Sequence, residues 1–189
     1  MTDGRLPIQS DGRGWWAVYT KHQHEKSVSE MLSAKGAEVF LPWYSAERRR
    51  RSRTVKLILP LFPGYLFVRE QSEMRLPVLS TPGVFQIVCQ GSSLGIVPDA
   101  EIQNLQRAIA ARRGIEPYPF CRVGERVRII RGPLSGLEGI LAFQKGLYRV
   151  VVSVQMLAQA AAVEVHASEI AAVHRGADEV SLLHSASVG

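Results

Sequence analysis

The sequence has few cysteines, and their placement excludes a disulfide framework and a zinc site. Cys89 and Cys121 are the two cysteines among 189 residues, and neither belongs to a Cys-x-x-Cys pair or stands at a regular spacing from histidine. Disulfide scaffolds and structural zinc sites both need more sulfur ligands at recurring spacings. We therefore interpret both residues as ordinary thiols.

Long hydrophobic runs are also missing. No apolar stretch approaches the roughly 20 residues that a helix needs to cross a bilayer. Residues 1–14 are polar and rich in glycine, without the apolar core of a signal peptide. The hydrophobic content of 46% is that of a soluble globular chain. We therefore expect a cytoplasmic protein with no membrane contact.

The local signatures of enzymes are absent from the sequence. It contains no Gly-x-Gly-x-x-Gly, no phosphate loop ending in Gly-Lys-Ser/Thr and no Gly-x-Ser-x-Gly. His22 and His24 flank Gln23 at a predicted strand-to-helix junction, but their neighbourhood offers no further metal ligands. We expect a binding protein rather than an enzyme, with no metal and no cofactor.

Over residues 15–113 the pattern alternates between strand and helix. Trp15 to Thr20 is rich in aromatic and β-branched residues, and His24 to Lys35 carries Val28, Met31 and Leu32 on one helical face. A second helix begins near Asp99, which we interpret as its N-cap. The pattern predicts an α+β fold with a split βαβ-type sheet and helices on one face.

The stretch from Leu59 to Val68 combines a forced turn with an apolar strand. Pro60 and Pro63 fix φ and remove backbone donors just before Gly64, which tolerates positive φ. The following run Tyr65-Leu66-Phe67-Val68 is apolar on both faces and predicts a central, buried strand. Packing in the core is one interpretation of its aromatic residues, and docking of a partner is the other.

Positive charge is concentrated in one decapeptide. Residues 47–56 contain six basic residues and one acidic residue, which accounts for almost all of the net charge of +6. We predict that this segment is the exposed tip of a hairpin between two strands. A patch of this density is suited to phosphate contacts, although a solvated loop that aids solubility is the alternative.

Residues 120–175 change to short strands at close spacing. In the first of them Val127 and Ile129 face one way, while Arg126 and Arg128 face the other. This pattern predicts a small β-barrel. We divide the chain into a flexible N-terminus (1–14), a first domain (15–113), a linker (114–119), a second domain (120–175) and a C-terminal tail (176–189).

Two landmarks together resemble the NusG family of transcription elongation factors. The first domain carries Trp16-Ala17-Val18, Phe62-Pro63-Gly64-Tyr65-Leu66-Phe67-Val68 and Thr81-Pro82-Gly83-Val84. The second matches the KOW pattern, with Gly124, Val127, Ile129, Gly132, Pro133, Gly136 and Gly139 in order. The resemblance covers about residues 15–174 and implies a NusG-type N-terminal domain followed by an SH3-like KOW β-barrel.

The resemblance implies a protein that works on RNA polymerase. The N-terminal domain of the family binds the clamp helices of the β′ subunit through an apolar concavity. The matching residues here are Trp16, Phe62, Pro63, Gly64, Tyr65 and Phe67. We assign the basic hairpin to DNA near the transcription bubble, with Arg48, Arg49, Arg50, Arg51, Arg53 and Lys56 as the candidate contacts. We expect a monomer.

The C-terminal domain of the family recruits Rho or a small-subunit ribosomal protein through a loop after its Val-rich strand. That loop corresponds here to residues 153–159 and lacks the Ile-Phe-Gly-Arg character of the housekeeping protein, which argues against Rho. The departure, with the arginine-rich hairpin, resembles specialised antitermination paralogues that act on particular operons. Residues 156–175 are rich in alanine and suit helix as well as strand, as in a paralogue whose C-terminal domain switches fold.

The leading hypothesis is thus an elongation or antitermination factor, with a housekeeping NusG as its nearest alternative. An RNA-binding or ribosome-associated KOW protein is the alternative from another class. It predicts tight binding to structured RNA without polymerase, whereas residues 57–189 are close to neutral.

Overall fold

The computed structural model describes residues 14–50, 53–118, 124–144 and 147–173. The predicted flexible N-terminus up to residue 13, Arg51 and the predicted tail over 176–189 lie outside the described residues. Among those described, no helix combines the length and the apolar character needed to cross a membrane.

The first part of the chain forms an antiparallel sheet with three helices and two hairpins. Its elements in chain order are β1 (Gly14–Thr20), α1 (Glu25–Ala34), β2 (Val39–Phe40), β3 (Trp43–Arg50), β4 (Arg53–Pro60), β5 (Tyr65–Arg69), α2 (Arg75–Leu79), β6 (Val84–Ile87), β7 (Cys89–Gln90), β8 (Ser93–Leu94), β9 (Ile96–Pro98) and α3 (Asp99–Ala110). A 3-10 turn, Ser72–Met74, precedes α2.

The N-terminal sheet has the strand order β2-β5-β1-β6, and β9 pairs with the other half of β1. β5 lies between β2 and β1, as the apolar run at 65–68 predicts, and Ala17 is the partner of Phe67 across the β1–β5 pair. β9 was not predicted from the sequence. It approaches so closely that a Cβ on Gly14 would stand 2.2 Å from a methyl carbon of Ile96.

Helices cover both faces of the N-terminal sheet, so the prediction of helices on one face is wrong. Trp16 and Val68 pack with Val28 and Leu32 of α1. Trp15, Ala17 and Phe67 lie on the other face and share a core with Ile102, Leu105 and Ala108 of α3. Successive side chains of a strand point to opposite faces, and β1 is apolar on both, so each face requires its own cover.

β3 and β4 form a separate two-stranded hairpin. Their register pairs Trp43 with Pro60 at the base and Arg50 with Arg53 at the far end. The basic decapeptide therefore lies at the far half of a hairpin, where its tip was predicted, and both strands extend into it. Strand pairing gives the backbone of this charged segment hydrogen bonds that an open loop would leave to water.

The second part of the chain forms a six-stranded antiparallel sheet with the order β10-β14-β13-β12-β11-β15. Its strands are β10 (Glu116–Tyr118), β11 (Arg126–Ile129), β12 (Glu138–Gln144), β13 (Leu147–Val154), β14 (Gln159–Val165) and β15 (Ile170–Ala172). The 3-10 turns Gln155–Leu157 and Ala167–Glu169 lie at the two ends of β14. Residues 159–165, which the sequence left between helix and strand, are a strand in this structure.

The segment predicted as a linker contains β10, which pairs with β14 of the C-terminal sheet. Glu116 of β10 forms an ion pair with the buried guanidinium of Arg149 on β13. Arg149 also reaches Glu164 of β14 at 3.3 Å. The segment is thus joined to the sheet by its backbone pairing with β14 and by the ion pair of Glu116 with Arg149.

The two sheets share one hydrophobic core, with α3 between them. Val127, Ile129, Leu134 and Leu137 of the second part belong to the same buried cluster as Ile102 and Leu105 of α3. Polar contacts continue this junction: Arg113 pairs with Glu169 at 2.5 Å, and the Glu164 N–H donates to the carbonyl of Arg113 at 3.2 Å. The N-terminal and C-terminal sheets are therefore packed together in this structure.

Candidate functional site

The turn Phe62-Pro63-Gly64 connects the hairpin to the central strand and is held by hydrogen bonds from three sides. The Leu61 N–H donates to the carbonyl of Pro42, and the Thr20 N–H donates to the carbonyl of Gly64, both at 2.8 Å. The Gly64 N–H donates to the buried carboxylate of Glu25, also at 2.8 Å. Gly64 has φ +82°, a conformation that glycine adopts at little cost.

Phe62 and Phe67 lie inside the core. Their exposed fractions are 1% and 0%, and their rings meet edge to face with centroids 6.4 Å apart. Phe67 also stacks with Phe40. In this structure the two residues therefore pack against the shared core, which agrees with the core interpretation of the sequence.

Trp16 is separated from the other predicted polymerase contacts. It is 2% exposed and lies with α1 and α2 on the face of the sheet opposite to Phe67. Trp16 pairs with Val68 across β1 and β5, whereas Ala17 pairs with Phe67. The structure thus does not bring Trp16 together with Phe62 and Phe67.

Three aromatic rings meet at the surface beside the turn. Tyr65 follows Gly64, and its ring centroid is 5.2 Å from that of Tyr19 on β1. Tyr19 in turn stacks with Phe85 of β6 at 5.6 Å. We call Tyr19, Tyr65 and Phe85 the aromatic cluster. Phe85 is 60% exposed, Tyr19 is 39% exposed, Tyr65 is half-buried, and Pro63 of the adjoining turn is exposed.

Sequence reasoning named Tyr65 but missed its two neighbours. Tyr19 lies two positions beyond Ala17 on β1, so it shares the face of Ala17 and Phe67. That parity could have been read from the sequence. The placement of Phe85 could not, because the β1–β6 pairing changes register between Tyr19 and Thr20.

The aromatic cluster has the properties of a protein-docking surface. Large exposed aromatic side chains next to one another are uncommon on monomeric proteins and mark interaction sites. Aromatic residues also contribute a large share of the binding energy in protein interfaces. The rigid turn beside the cluster keeps these rings in a defined arrangement.

The predicted nucleic-acid residues follow the far half of the β3–β4 hairpin. Arg48, Arg49 and Arg50 belong to β3, Arg53 belongs to β4, and Arg51 lies outside the described residues. Lys56 is exposed and stands 4.0 Å from Glu47 on the partner strand. A two-stranded ribbon carrying this many basic residues has dimensions that suit a nucleic-acid groove.

The residues of the predicted KOW motif shape the start of the C-terminal sheet. Val127 and Ile129 are buried on β11, and Gly132 and Gly136 have positive φ in the turn that follows. Pro133 is exposed in that turn. Gly124 and Gly139 allow close approach: added Cβ atoms would stand 2.5 Å from a side-chain carbon of Ile140 and 2.3 Å from the carbonyl oxygen of Val151, respectively.

The loop over residues 153–159, which the resemblance assigns to a partner, packs against the first part of the chain. Met156 lies against Gly95, and the Gln155 N–H donates to Glu101 of α3 at 3.2 Å. Burial raises the pKa of Glu101, while the hydrogen bond from Gln155 acts in the opposite direction. The loop is therefore part of the junction between the two sheets.

In the part of the chain that the structure describes, no group of three or more His, Cys, Asp or Glu side chains could hold a metal ion. A cleft of about 360 Å³ between α3 and the C-terminal sheet is lined by residues such as Glu101, Asn104, Arg126 and Glu138. Two of its charged residues form an ion pair, in which a guanidinium nitrogen of Arg126 lies 3.6 Å from a carboxylate oxygen of Glu138.

Comparisons with known proteins agree in pointing to NusG. Residues 13–106 match the family model described as NusG, transcription termination factor nusG. The transcription termination/antitermination protein NusG of Rickettsia prowazekii (strain Madrid E) is 23% identical over 182 residues, which cover 89% of this chain and 95% of the relative. Its counterpart in Helicobacter pylori (strain J99) is 23% identical over 133 residues, or 64% of this chain and 76% of that protein.

A solved structure shares the fold. The structure entitled "Domain interaction in Thermotoga maritima NusG" matches with a TM-score of 0.51 and 24% sequence identity. The match covers 85% of this chain and 97% of that one. It therefore extends beyond the first sheet into the second part of the chain.

Proposed function

Because this chain belongs to the NusG family of transcription factors, we propose that it binds RNA polymerase through the aromatic cluster and acts in transcription elongation or antitermination. One observation carries the proposal. Tyr65, from the motif that the sequence shares with the family, lies in a group of three surface rings that includes the exposed side chain of Phe85.

The polymerase element that fits this surface is the coiled coil of the β′ clamp helices. A coiled coil buries its a and d residues between its two helices, so the rings would contact outward-facing apolar side chains and aliphatic stems of a helix, as in helix-in-groove recognition. Tyr19 and Tyr65 each combine an apolar ring with a hydroxyl group that can stay hydrated at the rim of the contact.

The other predicted polymerase residues have different parts in this proposal. Pro63 is exposed next to the cluster and contributes to the contact. Phe62 and Phe67 support the strand from beneath, and Gly64 provides the turn. Trp16 supports the sheet from its opposite face and does not contact polymerase while the sheet is intact.

The basic hairpin is proposed to contact DNA near the transcription bubble. Its high density of positive charge favours contacts with phosphates, which carry no sequence information by themselves. Docking on polymerase through the aromatic cluster would position the protein, while contacts of the hairpin with DNA add affinity in the assembled elongation complex. These two contacts use different strands of the same chain and can form together.

For the second part of the chain we propose a KOW domain of the SH3-like barrel type, with a small-subunit ribosomal protein as its partner. The order of six antiparallel strands and the buried Val127 and Ile129 support the proposal. The loop 153–159 is packed against Gly95 and Glu101 in this structure, so the partner requires that junction to open. The same loop departs from the housekeeping pattern, which favours a specialised paralogue for particular operons.

The test is an equilibrium binding titration of purified RNA polymerase, free and in elongation complexes, with fluorescently labelled protein. Phe85→Ser removes a large exposed ring without opening the core. We expect it to weaken binding at least about tenfold, because aromatic residues at the centre of an interface contribute about 2 kcal/mol or more.

The matched control is Phe143→Ser. Phe143 is 64% exposed, and its ring centroid lies 4.9 Å from that of Tyr148 on the C-terminal sheet. Phe143→Ser therefore removes the same kind of ring as Phe85→Ser, from a comparably exposed position. The control should bind as the unchanged protein does. Equal weakening by both substitutions, or none by Phe85→Ser, would remove the aromatic cluster from the proposal.

A further inference from the structure

Glu25 is a buried acid next to the proposed docking surface. Its residue is 4% exposed, although Glu25 is the first residue of α1 and its sequence neighbours 21–24 are exposed. Acidic side chains are seldom buried unless a specific contact compensates for their lost hydration. The contact here is the 2.8 Å hydrogen bond that the carboxylate accepts from the Gly64 N–H.

The hydrogen bond joins α1 to the turn at a point where the backbone has little freedom. Gly64 has φ +82°, and an added Cβ would stand 3.0 Å from the ring of Tyr19. Its carbonyl accepts from the backbone N–H of Thr20 at 2.8 Å. Gly64 is thus held on one side by β1 and on the other by Glu25.

The two residues that flank these contacts are members of the aromatic cluster. Tyr19 directly precedes Thr20, and Tyr65 directly follows Gly64. Tyr19 and Tyr65 are also direct partners across the β1–β5 pair. A shift of the turn would therefore change the spacing of the two rings, which is now 5.2 Å.

We infer that Glu25 is a positioning residue for the docking surface: its carboxylate fixes the Phe62-Pro63-Gly64 turn against β1 and so sets the arrangement of Tyr19 and Tyr65. The consequence for polymerase rests on the proposed function, whereas the consequence for the turn does not. An acid at the start of a helix also interacts favourably with the helix dipole, and that simpler role must be separated from this one.

Three variants separate the roles. Glu25→Gln keeps an oxygen that can accept from Gly64 but loses the charge that favours the helix dipole. Glu25→Ala loses both. Leu32→Ala removes packing beneath the same helix, since Leu32 is fully buried in α1, but leaves the turn untouched. Each is assayed at a temperature at which circular dichroism shows it to be folded.

We expect Glu25→Ala to bind polymerase with about tenfold lower affinity, because the loss of one hydrogen bond to a charged group has an effect of about that size. Glu25→Gln and Leu32→Ala should both stay within about twofold of the unchanged protein. If Leu32→Ala binds as weakly as Glu25→Ala, or if Glu25→Ala binds normally, Glu25 has no positioning role in docking.

A second readout does not depend on polymerase. In NMR spectra the Gly64 amide should exchange faster with solvent in Glu25→Ala, and the contacts between the rings of Tyr19 and Tyr65 should weaken, while Leu32→Ala and Glu25→Gln preserve both. An unchanged Gly64 amide in Glu25→Ala overturns the inference. Absence of polymerase binding by the unchanged protein overturns the proposed function instead and leaves this readout decisive for Glu25.

Discussion

The indole nitrogen of Trp15 donates a 2.8 Å hydrogen bond to the carboxylate of Asp99 and so joins the start of β1 to the start of α3. The same carboxylate accepts from Arg69 at 2.6 Å, and the Arg69 guanidinium lies 4.3 Å from the centre of the Trp15 ring. The sequence predicts Asp99 as the N-cap of α3, but Pro98 occupies that position. Asp99 instead uses its side chain to attach the helix to the sheet.

Asp99→Ala should lower the free energy of unfolding by about 1–2 kcal/mol, because it removes charge-assisted hydrogen bonds from a half-exposed site. Hydrogen bonds from Trp15 and Arg69 lower the pKa of Asp99. A lowered folded-state pKa contributes stability above the unfolded-state pKa, and that contribution is lost as the pH falls. The difference between the two proteins in urea unfolding should therefore be larger at pH 7 than at pH 3.

The control for this measurement is Glu30→Ala. Glu30 is an exposed acid on α1 that lies 3.9 Å from Lys26, and exposed pairs of this kind contribute little. A loss of stability as large as that of Asp99→Ala would mean that the contacts of Asp99 stabilise the fold no more than an exposed ion pair does.

The pair between Arg113 and Glu169 predicts an acid-sensitive contact between the segment after α3 and the C-terminal part of the chain. The Arg113 guanidinium, with help from the His166 N–H, lowers the pKa of Glu169 to about 2. The resulting stability is present above the ordinary value of 4.5 and is lost as the pH falls toward 2. In Arg113→Met the pKa of Glu169, followed by NMR of its carboxyl carbon, should rise toward its ordinary value. Arg112→Met, at the exposed neighbouring position, should leave it unchanged.

The buried Arg149 predicts an asymmetric response to mutation. Its side chain is 7% exposed, whereas those of its partners Glu116 and Glu164 are 47% and 40% exposed. Removing both acids leaves the buried charge of Arg149 without a partner and should lower the free energy of unfolding by about 3 kcal/mol or more. Arg149→Met leaves two carboxylates that water can reach, so its cost should be smaller. Chemical unfolding of the two variants measures both losses. A larger loss in Arg149→Met than in the variant without both acids would contradict this explanation.

The basic hairpin predicts a specific salt dependence of DNA binding. Each arginine that contacts a phosphate of duplex DNA should steepen the plot of log affinity against log salt concentration by about 0.9. Replacing Arg48, Arg49 and Arg50 by glutamine should reduce the slope for binding to a model transcription bubble by up to about three times that amount. Lys26→Gln, an exposed lysine of α1, provides the control. A slope that falls by the same amount per removed charge in both proteins would indicate diffuse charge rather than the hairpin.

Much of the fold follows from local pattern. The alternation of Val127 and Ile129 with Arg126 and Arg128 places β11 correctly, and the helix predicted to begin near Asp99 is α3. The cover on both faces of the N-terminal sheet was also readable in principle, since Trp15, Trp16, Ala17 and Val18 are consecutive apolar residues in one strand. A strand with two apolar faces needs a layer on each.

Other features depend on contacts between distant residues and have no local signal. β10 pairs with β14, and its Glu116 contacts Arg149, which lies 33 positions away. β9 is three residues long and gains its place by pairing with Gly14, Trp15 and Trp16. The aromatic cluster joins three strands, and its geometry depends on a register shift next to Tyr19. Sequence periodicity describes one element at a time and cannot supply such relationships.

Site-specific photocrosslinking to RNA polymerase tests docking through the aromatic cluster most directly. Benzoylphenylalanine placed at Phe85, with Phe143 as the matched position, is irradiated in reconstituted elongation complexes and the crosslinked peptide is identified by mass spectrometry. We expect a crosslink from position 85 to the clamp helices of the β′ subunit and none to that element from position 143. A crosslink from position 85 to another surface, or equal labelling from both positions, would contradict docking through the aromatic cluster.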